Sequence, residues 1–347
     1  IAHIHIMHKY WDKQPVPRDD TTPGEIDKTR DVSKKTTKLP DEFVWSSCSL
    51  KEAHTFLKEY YVETNKFKLC YTPEILKWSI DDSIAVRKKY TNELIGYIAS
   101  TPIDSRVENE QLKMTQIDYL CVHPSYRTVG LAPILITEIK RRANKNGIWQ
   151  AIYTAHTKIP TPITKSCYWH RFLDVQHLVQ IGFHQTHRFS EKFYEVRGPC
   201  KHLWRNMTTE DIPKVTRILQ EYSKKFKITH IIDEQYVKKR VLPIHSYVND
   251  TSDDFISFYE IPYERSDGSG VVKQVYRYFM VGDVYNDAFL IAKNLGYHVF
   301  NSAEVGVNIN TLEKHKFMKG NGYVYYYLFN WHLSEPIKTD EINLIIP

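Results

Sequence analysis

No apolar run in the chain approaches the roughly 18 residues that a membrane-spanning helix needs, so no transmembrane segment is expected. Its five cysteines, Cys48, Cys70, Cys121, Cys167 and Cys200, are odd in number and widely spaced, without a C-x-x-C. That excludes a disulfide framework and a zinc knuckle, and fits a reduced, cytoplasmic protein. There is no P-loop and no G-x-S-x-G, and the 16 histidines do not gather with carboxylates at ligand spacing. Nucleotide-triphosphate, serine-hydrolase and metal chemistry therefore find no anchor, and no metal is expected. No Lys/Arg block stands out either. A net charge of +6 and a pI near 8.8 suit an anionic small ligand and are too weak to imply nucleic acid. The start, Ile1 to His8, lacks the cationic flank and long apolar core of a signal peptide.

What is present is a soluble globular composition, 42% hydrophobic and 25% charged over 347 residues, enough for two ordinary domains. Twenty-four tyrosines suit aromatic grooves, although Tyr-rich strands alone would explain them. Residues 12–42 hold Pro15, Pro17, Pro23 and Gly24 among many charges, and are expected to form an extended arm, wrapped or mobile. Leu50 to Tyr61 carries apolar residues at helical spacing. Leu94 to Ala99 and Met114 to Val122 are expected as antiparallel strands with a turn near Glu108-Asn109-Glu110. A helix over Leu131 to Ala143 with Gly147 as C-cap, and a strand over Trp149 to Thr154, complete this unit.

The second half repeats the grammar. A helix starts after Thr208, Phe255 to Ile261 pairs with Val275 to Val281, and a helix over Tyr285 to Leu295 leads through Gly296 to a strand at Tyr297 to Asn301. Gly322 to Trp331 is a final Tyr-rich strand. Between strand and helix of the first half lies V-H-P-S-Y-R-T-V-G-L-A, residues 122–132. Arg127-x-x-Gly130-x-Ala132 in such a turn aims backbone N–H groups at an anion. It resembles the pyrophosphate loop of the GNAT acyltransferase superfamily; an ordinary strand–turn–helix junction is the alternative. The expected fold is α+β: two tandem GNAT-like halves, 43–195 binding acyl-CoA and 196–347 shaping the substrate site, sharing a mixed, saddle-shaped sheet flanked by helices. The second half has Gly282-Asp283-Val284 where the first has its loop.

Many short motifs, in order, resemble the N-myristoyltransferase family across nearly the whole chain. They include Tyr10-Trp11-Asp12-Lys13-Gln14-Pro15-Val16, Phe43-Val44-Trp45 and Tyr71-Thr72-Pro73-Glu74. Leu120-Cys121-Val122-His123, Trp149 to Ala155, Tyr168-Trp169-His170-Arg171, Phe258-Tyr259, Asn286-Asp287-Ala288 and Tyr326 to Trp331 continue the series. The resemblance implies transfer of a myristoyl group from myristoyl-CoA to the N-terminal glycine amine of peptides or nascent proteins, by a monomer. Lys9, Tyr10 and Trp11 are then expected at the coenzyme A, with Tyr119, Leu120, Cys121 and Val122 beside pantetheine and thioester. Arg127, Thr128, Gly130, Leu131 and Ala132 would form the phosphate loop. Tyr61, Val62, Phe67 and Tyr71 match the family's peptide groove, and Thr154 a hydroxyl near the acceptor amine. For each tyrosine, core packing is an equal alternative.

Attack on a thioester develops an oxyanion, and one preorganised donor there is typically worth about 3 kcal/mol. The family supplies the backbone N–H groups matched by Tyr119 and Leu120, freed if the strand splays. The acceptor arrives as an ammonium of pKa roughly 8 and must lose a proton, which the family gives to the chain's own terminal carboxylate, here Pro347. An exposed α-carboxylate would be a weak base, but Ile342-Asn343-Leu344-Ile345-Ile346 is apolar enough to carry the terminus into the core and desolvate it.

The chain departs from the family at several positions. Arg127-Thr128-Val129-Gly130 replaces R-S-K-R, leaving phosphate binding to the backbone and Arg127. Asp118 replaces an asparagine; it could contact the ammonium, act as an alternative base, or simply pair with a nearby cation. Thr64-Asn65-Lys66 replaces an acidic run, and His156, Phe279 and Asn321 alter groove positions. Phe279 and Asn321 are still expected on the peptide side. Two other functions stay open: a GNAT-type enzyme using another acyl chain or a lysine acceptor, and a non-catalytic acyl-CoA-binding homologue.

Overall fold

The computed structural model describes residues 9–61, 66–185 and 190–347. Its backbone is a 14-stranded sheet. The strands are β1 (Phe43–Ser46), β2 (Asp82–Lys88), β3 (Leu94–Val107), β4 (Glu110–Val122), β5 (Gln150–Ala155), β6 (Thr164–Phe172) and β7 (Trp204–Asn206). They continue with β8 (Ile228–His230), β9 (His245–Asn249), β10 (Phe255–Glu260), β11 (Gln274–Val281), β12 (Val299–Ala303), β13 (Met318–Phe329) and β14 (Ile342–Asn343). Hydrogen-bonded neighbours run β1-β2-β3-β4-β5-β13-β6-β12-β11-β10-β9-β7, while β8 joins β14 to β3.

The repeat is visible in this order. β3 and β4 are antiparallel and β5 returns parallel to β4. Likewise β10 and β11 are antiparallel and β12 returns parallel to β11. The crossover helices are α2 (Leu131–Lys145) and α4 (Tyr285–Asn294); α1 (Leu50–Tyr60) and α3 (Ile212–Ser223) open the two halves. Both crossovers stop at a left-handed glycine, Gly147 at φ 75° and Gly296 at φ 83°, a conformation that costs other residues. Each half then gives away a strand: β13 of the second pairs with β5, and β6 of the first pairs with β12. The sheet is therefore continuous through both halves, mixed and flanked by helices.

Local chemistry fixes the helices. Ser49 and Glu52 form a reciprocal capping box at the start of α1. Leu131, Leu135 and Ile139 of α2 bury one face against Ile84, Val86, Ile95 and Ile98, each worth roughly 1.5–3 kcal/mol of burial. The strand β6 was not evident from the sequence. Ser166 and Phe172 are buried on one of its faces and Trp169 and Arg171 on the other, so the polar-apolar alternation of a half-exposed strand is absent. The arm over 12–42 wraps rather than dangles. Gly24 bridges His332, and the Asp27 N–H donates to Asn330 Oδ1 at 2.6 Å. The Thr37 N–H donates to the wholly buried Glu138 carboxylate at 2.9 Å.

Candidate active site

The parallel pairing of β4 with β5 ends at Ile117 opposite Tyr153. Just beyond, β4 bulges against β3: Asp118 faces Ala99 and Cys121 faces Tyr97, so four residues oppose three. Tyr119 takes φ 56°, a strained value for a bulky residue. The strands part here, and the gap opens into a cavity of about 730 Å³. Asp118, Tyr119, Leu120, Cys121 and Val122 line it from one strand, and Tyr153, Thr154 and Ala155 from the other. The Tyr61 hydroxyl sits against the Tyr119 backbone, and burial with the nearby Asp118 carboxylate holds that phenol well above its ordinary pKa.

The chain end reaches the same cavity. β14 pairs parallel with β8, placing Ile342 beside Ile228 and Asn343 beside Thr229. Ile342 and Leu344 are fully buried, Ile345 and Ile346 nearly so, and Ile346 and Pro347 line the cavity. Tyr326 on β13 stands opposite Thr154 and takes a hydrogen bond from the Ile346 backbone. Asp118 is buried, and Gln116 Nε2 donates to its Oδ2 at 2.7 Å. Burial pushes the carboxyl up to about 7, against the opposing pull of Gln116 and Arg240. Its contact partner is thus an amide. The cation that acts on it, Arg240, is itself bonded to the Trp78 carbonyl and to Asp81 at 2.8 Å.

The expected phosphate turn is a 3-10 segment, Pro124–Val129, closed by Gly130 at φ 83°. An added Cβ at Gly130 would meet nothing within 4 Å, so the glycine is required by its backbone angle rather than by space. α2 starts directly after it with no side-chain cap, leaving its first-turn N–H groups open to an anion. Thr128 is exposed, and Leu131 and Ala132 turn inward. Arg127 lines the cavity but braces the turn: its Nε donates to the Val122 carbonyl at 3.1 Å and an Nη to the Tyr60 carbonyl at 3.2 Å. Trp11 is buried and stacks on Tyr153, rings 5.4 Å apart and 10° from parallel. Tyr10 packs edge-on to Trp11, and Lys9 is exposed.

On the other side the wall is tyrosine. Tyr61 and Tyr71 pack edge-to-face at 5.7 Å, and Tyr168, Tyr259, Tyr263 and Tyr276 join them. Phe67 supports Phe183, which lines the cavity. Val62 lies outside the described residues. Phe279 is not brought to the cavity; it is buried in the core, edge-on to Tyr278. Asn321 is exposed in the irregular stretch of β13 between Lys319 and Tyr323, next to Gly322 at the cavity wall. Sequence reasoning missed Gln116, Tyr168, His170 and Tyr326 as site residues. His170 faces the cavity, its Nδ1 2.6 Å from Asn301 Oδ1 and its pKa lowered by burial. The signal for two of them lay in the run Tyr168-Trp169-His170-Arg171, which had served only as a family marker.

A parted strand pair, an uncapped helix start after a left-handed glycine and a deep groove beside them are the parts an acyl-transfer site needs. Residues 24–167 match the model of the Myristoyl-CoA:protein N-myristoyltransferase N-terminal domain, and 179–344 that of its C-terminal domain. Glycylpeptide N-tetradecanoyltransferase 1 of Arabidopsis thaliana is 33% identical over 98% of this chain and 89% of its own. The Dictyostelium discoideum enzyme of that name is 34% identical over 98% and 92%. The crystal structure of Saccharomyces cerevisiae N-myristoyltransferase with bound myristoyl-CoA superposes with a TM-score of 0.89 at 27% identity, covering 98% of this chain and 95% of that one. The chain belongs to the N-myristoyltransferase family.

Proposed function

We propose that the protein transfers a myristoyl group from myristoyl-CoA to the N-terminal glycine amine of protein substrates. The observation that carries this reading is the meeting, in one buried cavity, of the bulged Tyr119-Leu120 backbone and the Pro347 chain end. In this reading the α2 start and the Gly130 turn hold the coenzyme A phosphates, and Trp11 closes over the bound donor. The thioester carbonyl lies at the parting of β4 and β5, where the Tyr119 and Leu120 N–H groups receive the developing oxyanion. The first half then holds the donor, while the tyrosine wall, drawn from both halves, holds the peptide.

The acceptor ammonium loses its proton to the Pro347 carboxylate. The buried tail supports that role, because desolvation strengthens a carboxylate as a base. Thr154 and Tyr326 face each other across β5 and β13 and position the amine and the tail. Asp118, raised to about 7, adds a second acid–base group whose charge changes near neutral pH. The five free cysteines and the acyl-CoA donor support a cytoplasmic location. No helix among the described residues is long and apolar enough to cross a membrane.

The test is acylation of Gly-initiated octapeptides by myristoyl-CoA, with Ala-initiated and internal-lysine peptides as controls. Product on the glycine peptide alone supports the reading. Product only on lysine would transfer the assignment to a lysine acyltransferase, and tight acyl-CoA binding without product to a binding protein.

A further inference from the structure

Behind the active-site cavity lies a second chamber of about 460 Å³, roofed by the N-terminal arm. The two spaces share Lys140, Asn144, Trp149 and Phe329 as a common wall. Their characters differ. The active-site face of this wall continues into Ile136, Ile139, Ile148 and Ala151, an apolar channel between α2 and β5. The far face meets Asp27, Thr29, Asp31 and Ser33 of the arm. Lys140 is ten residues beyond Gly130, about 15 Å along α2. The wall therefore closes the channel far from the turn and the thioester.

Three of the four wall residues are locked. Trp149 carries the Arg30 guanidinium 4.9 Å above its ring. Asn144 has its amide against the Lys140 and Ile148 carbonyls. Phe329 is buried at the end of β13. Lys140 is held differently. Its stem is half-buried, its Nζ lies 5.5 Å from the Phe329 ring centre, and it donates to Gln14 Oε1 of the arm at 3.1 Å. An ammonium at the end of an apolar channel is a poor neighbour for a terminal methyl group.

We propose that Lys140, latched by Gln14, is the chain-length gate of the acyl channel. This rests on the acyl-transfer reading above. A donor longer than myristoyl must push its end past the ammonium into the polar chamber, and shortening Lys140 would join the two spaces. Burial of one methylene is worth about fourfold, from about 0.8 kcal/mol. Relieving the block for two extra methylenes should thus shift the palmitoyl-to-myristoyl ratio by about fifteenfold.

The experiment measures kcat/KM for myristoyl-CoA and palmitoyl-CoA with one glycine peptide, in the wild type, Lys140→Ala, Lys140→Met and Gln14→Ala. Binding of the two matching non-reactive thioether analogues is measured in parallel. The expected result is a palmitoyl-to-myristoyl ratio raised about fifteenfold in Lys140→Ala, and by less in Gln14→Ala, where the latch is lost but the stem remains. Lys140→Met keeps most of the volume and serves if the alanine variant does not fold. Unchanged ratios in folded variants, in turnover and in analogue binding, would overturn the gate. Failure of the wild type to acylate with either donor would instead overturn the transfer reading, while the analogue ratios still decide the gate.

Discussion

Replacing Asp118 by Asn should remove a pH-dependent loss of stability. Burial lifts the Asp118 carboxyl from 3.8 to about 7. Between those values the native state keeps a proton that the unfolded chain releases, so stability falls as pH rises and levels off above 7. At 1.36 kcal/mol per unit, the full effect is about 4 kcal/mol. Somewhat under half of that is already lost at pH 5 and nearly all by pH 8, so the gap between variant and wild type should widen by about 2–3 kcal/mol over that interval. The Asn carbonyl can still accept the Gln116 hydrogen bond seen at 2.7 Å, so the local geometry survives.

The assay is chemical denaturation of both proteins at pH 5, 6, 7 and 8, with Tm as a second readout; the widening corresponds to roughly 5 °C. Parallel stability profiles would refute the reasoning, because they would mean Asp118 is ionised in the native state throughout. Turnover separates its roles further. If the residue only positions the amine, Asp118→Asn keeps kcat. A large loss of kcat, together with loss of an inflection near pH 7, marks proton transfer.

Appending a few residues after Pro347 should abolish transfer while leaving Tm within a few degrees, measured by peptide acylation and thermal unfolding; unchanged turnover would remove the terminus from the mechanism. Gly130→Ala should cost about 1–2 kcal/mol, because φ 83° strains any residue with a Cβ, and should weaken acyl-CoA binding in calorimetry. Glu138→Ala, which leaves the Thr37 N–H without its acceptor, should free the arm. Burial would raise this carboxyl, but its bonds to Arg141 and Thr37 win and hold it at about 2. Its contribution is therefore present above the unfolded pKa and lost as pH falls toward 2. The variant should lose about 3 kcal/mol near neutral pH and show faster proteolysis within 12–42.

The sequence was most legible where local rules decide. The helix expected from Leu131 runs to Lys145, and the Gly147 and Gly296 caps fall where their patterns placed them. The splay at Tyr119 could be expected only through the family, since nothing in Ile117-Asp118-Tyr119-Leu120 marks a bulge. It arises because four residues of β4 must face three of β3. The exchange of β6 and β13 between halves was hidden for a related reason: pairing partners are set by tertiary closure, not by local propensity. Arg127 shows the limit of motif reading. Its pattern was recognised, yet its guanidinium points at the Val122 and Tyr60 carbonyls. Phe279 looked like a groove position until strand register placed it in the core.

The duplication raises a question that the second half answers in its own side chains: why does the proposed donor cleft have no open counterpart there? β11 and β12 also stop pairing, at Tyr276 and Asn301, and β11 also carries an irregularity against β10 at that level. The residue after the last pair is Arg277, where the first half has Asp118. Arg277 is buried and crosses the gap, donating to Ser302 Oγ at 2.8 Å, the Ala303 carbonyl at 3.3 Å and the Val305 carbonyl. The parted strands are thus stitched by a guanidinium. The turn before the crossover helix is filled as well. Gly282 has φ 93°, like Gly130, but a Cβ there would meet the Asp254 carboxylate at 1.9 Å, whereas Gly130 faces open space. A protein carboxylate fills the turn, and a protein cation fills the gap, that stay open in the first half. The two halves share a backbone plan, and the proposal of a donor site in the first half rests on its gap and its turn being left unfilled.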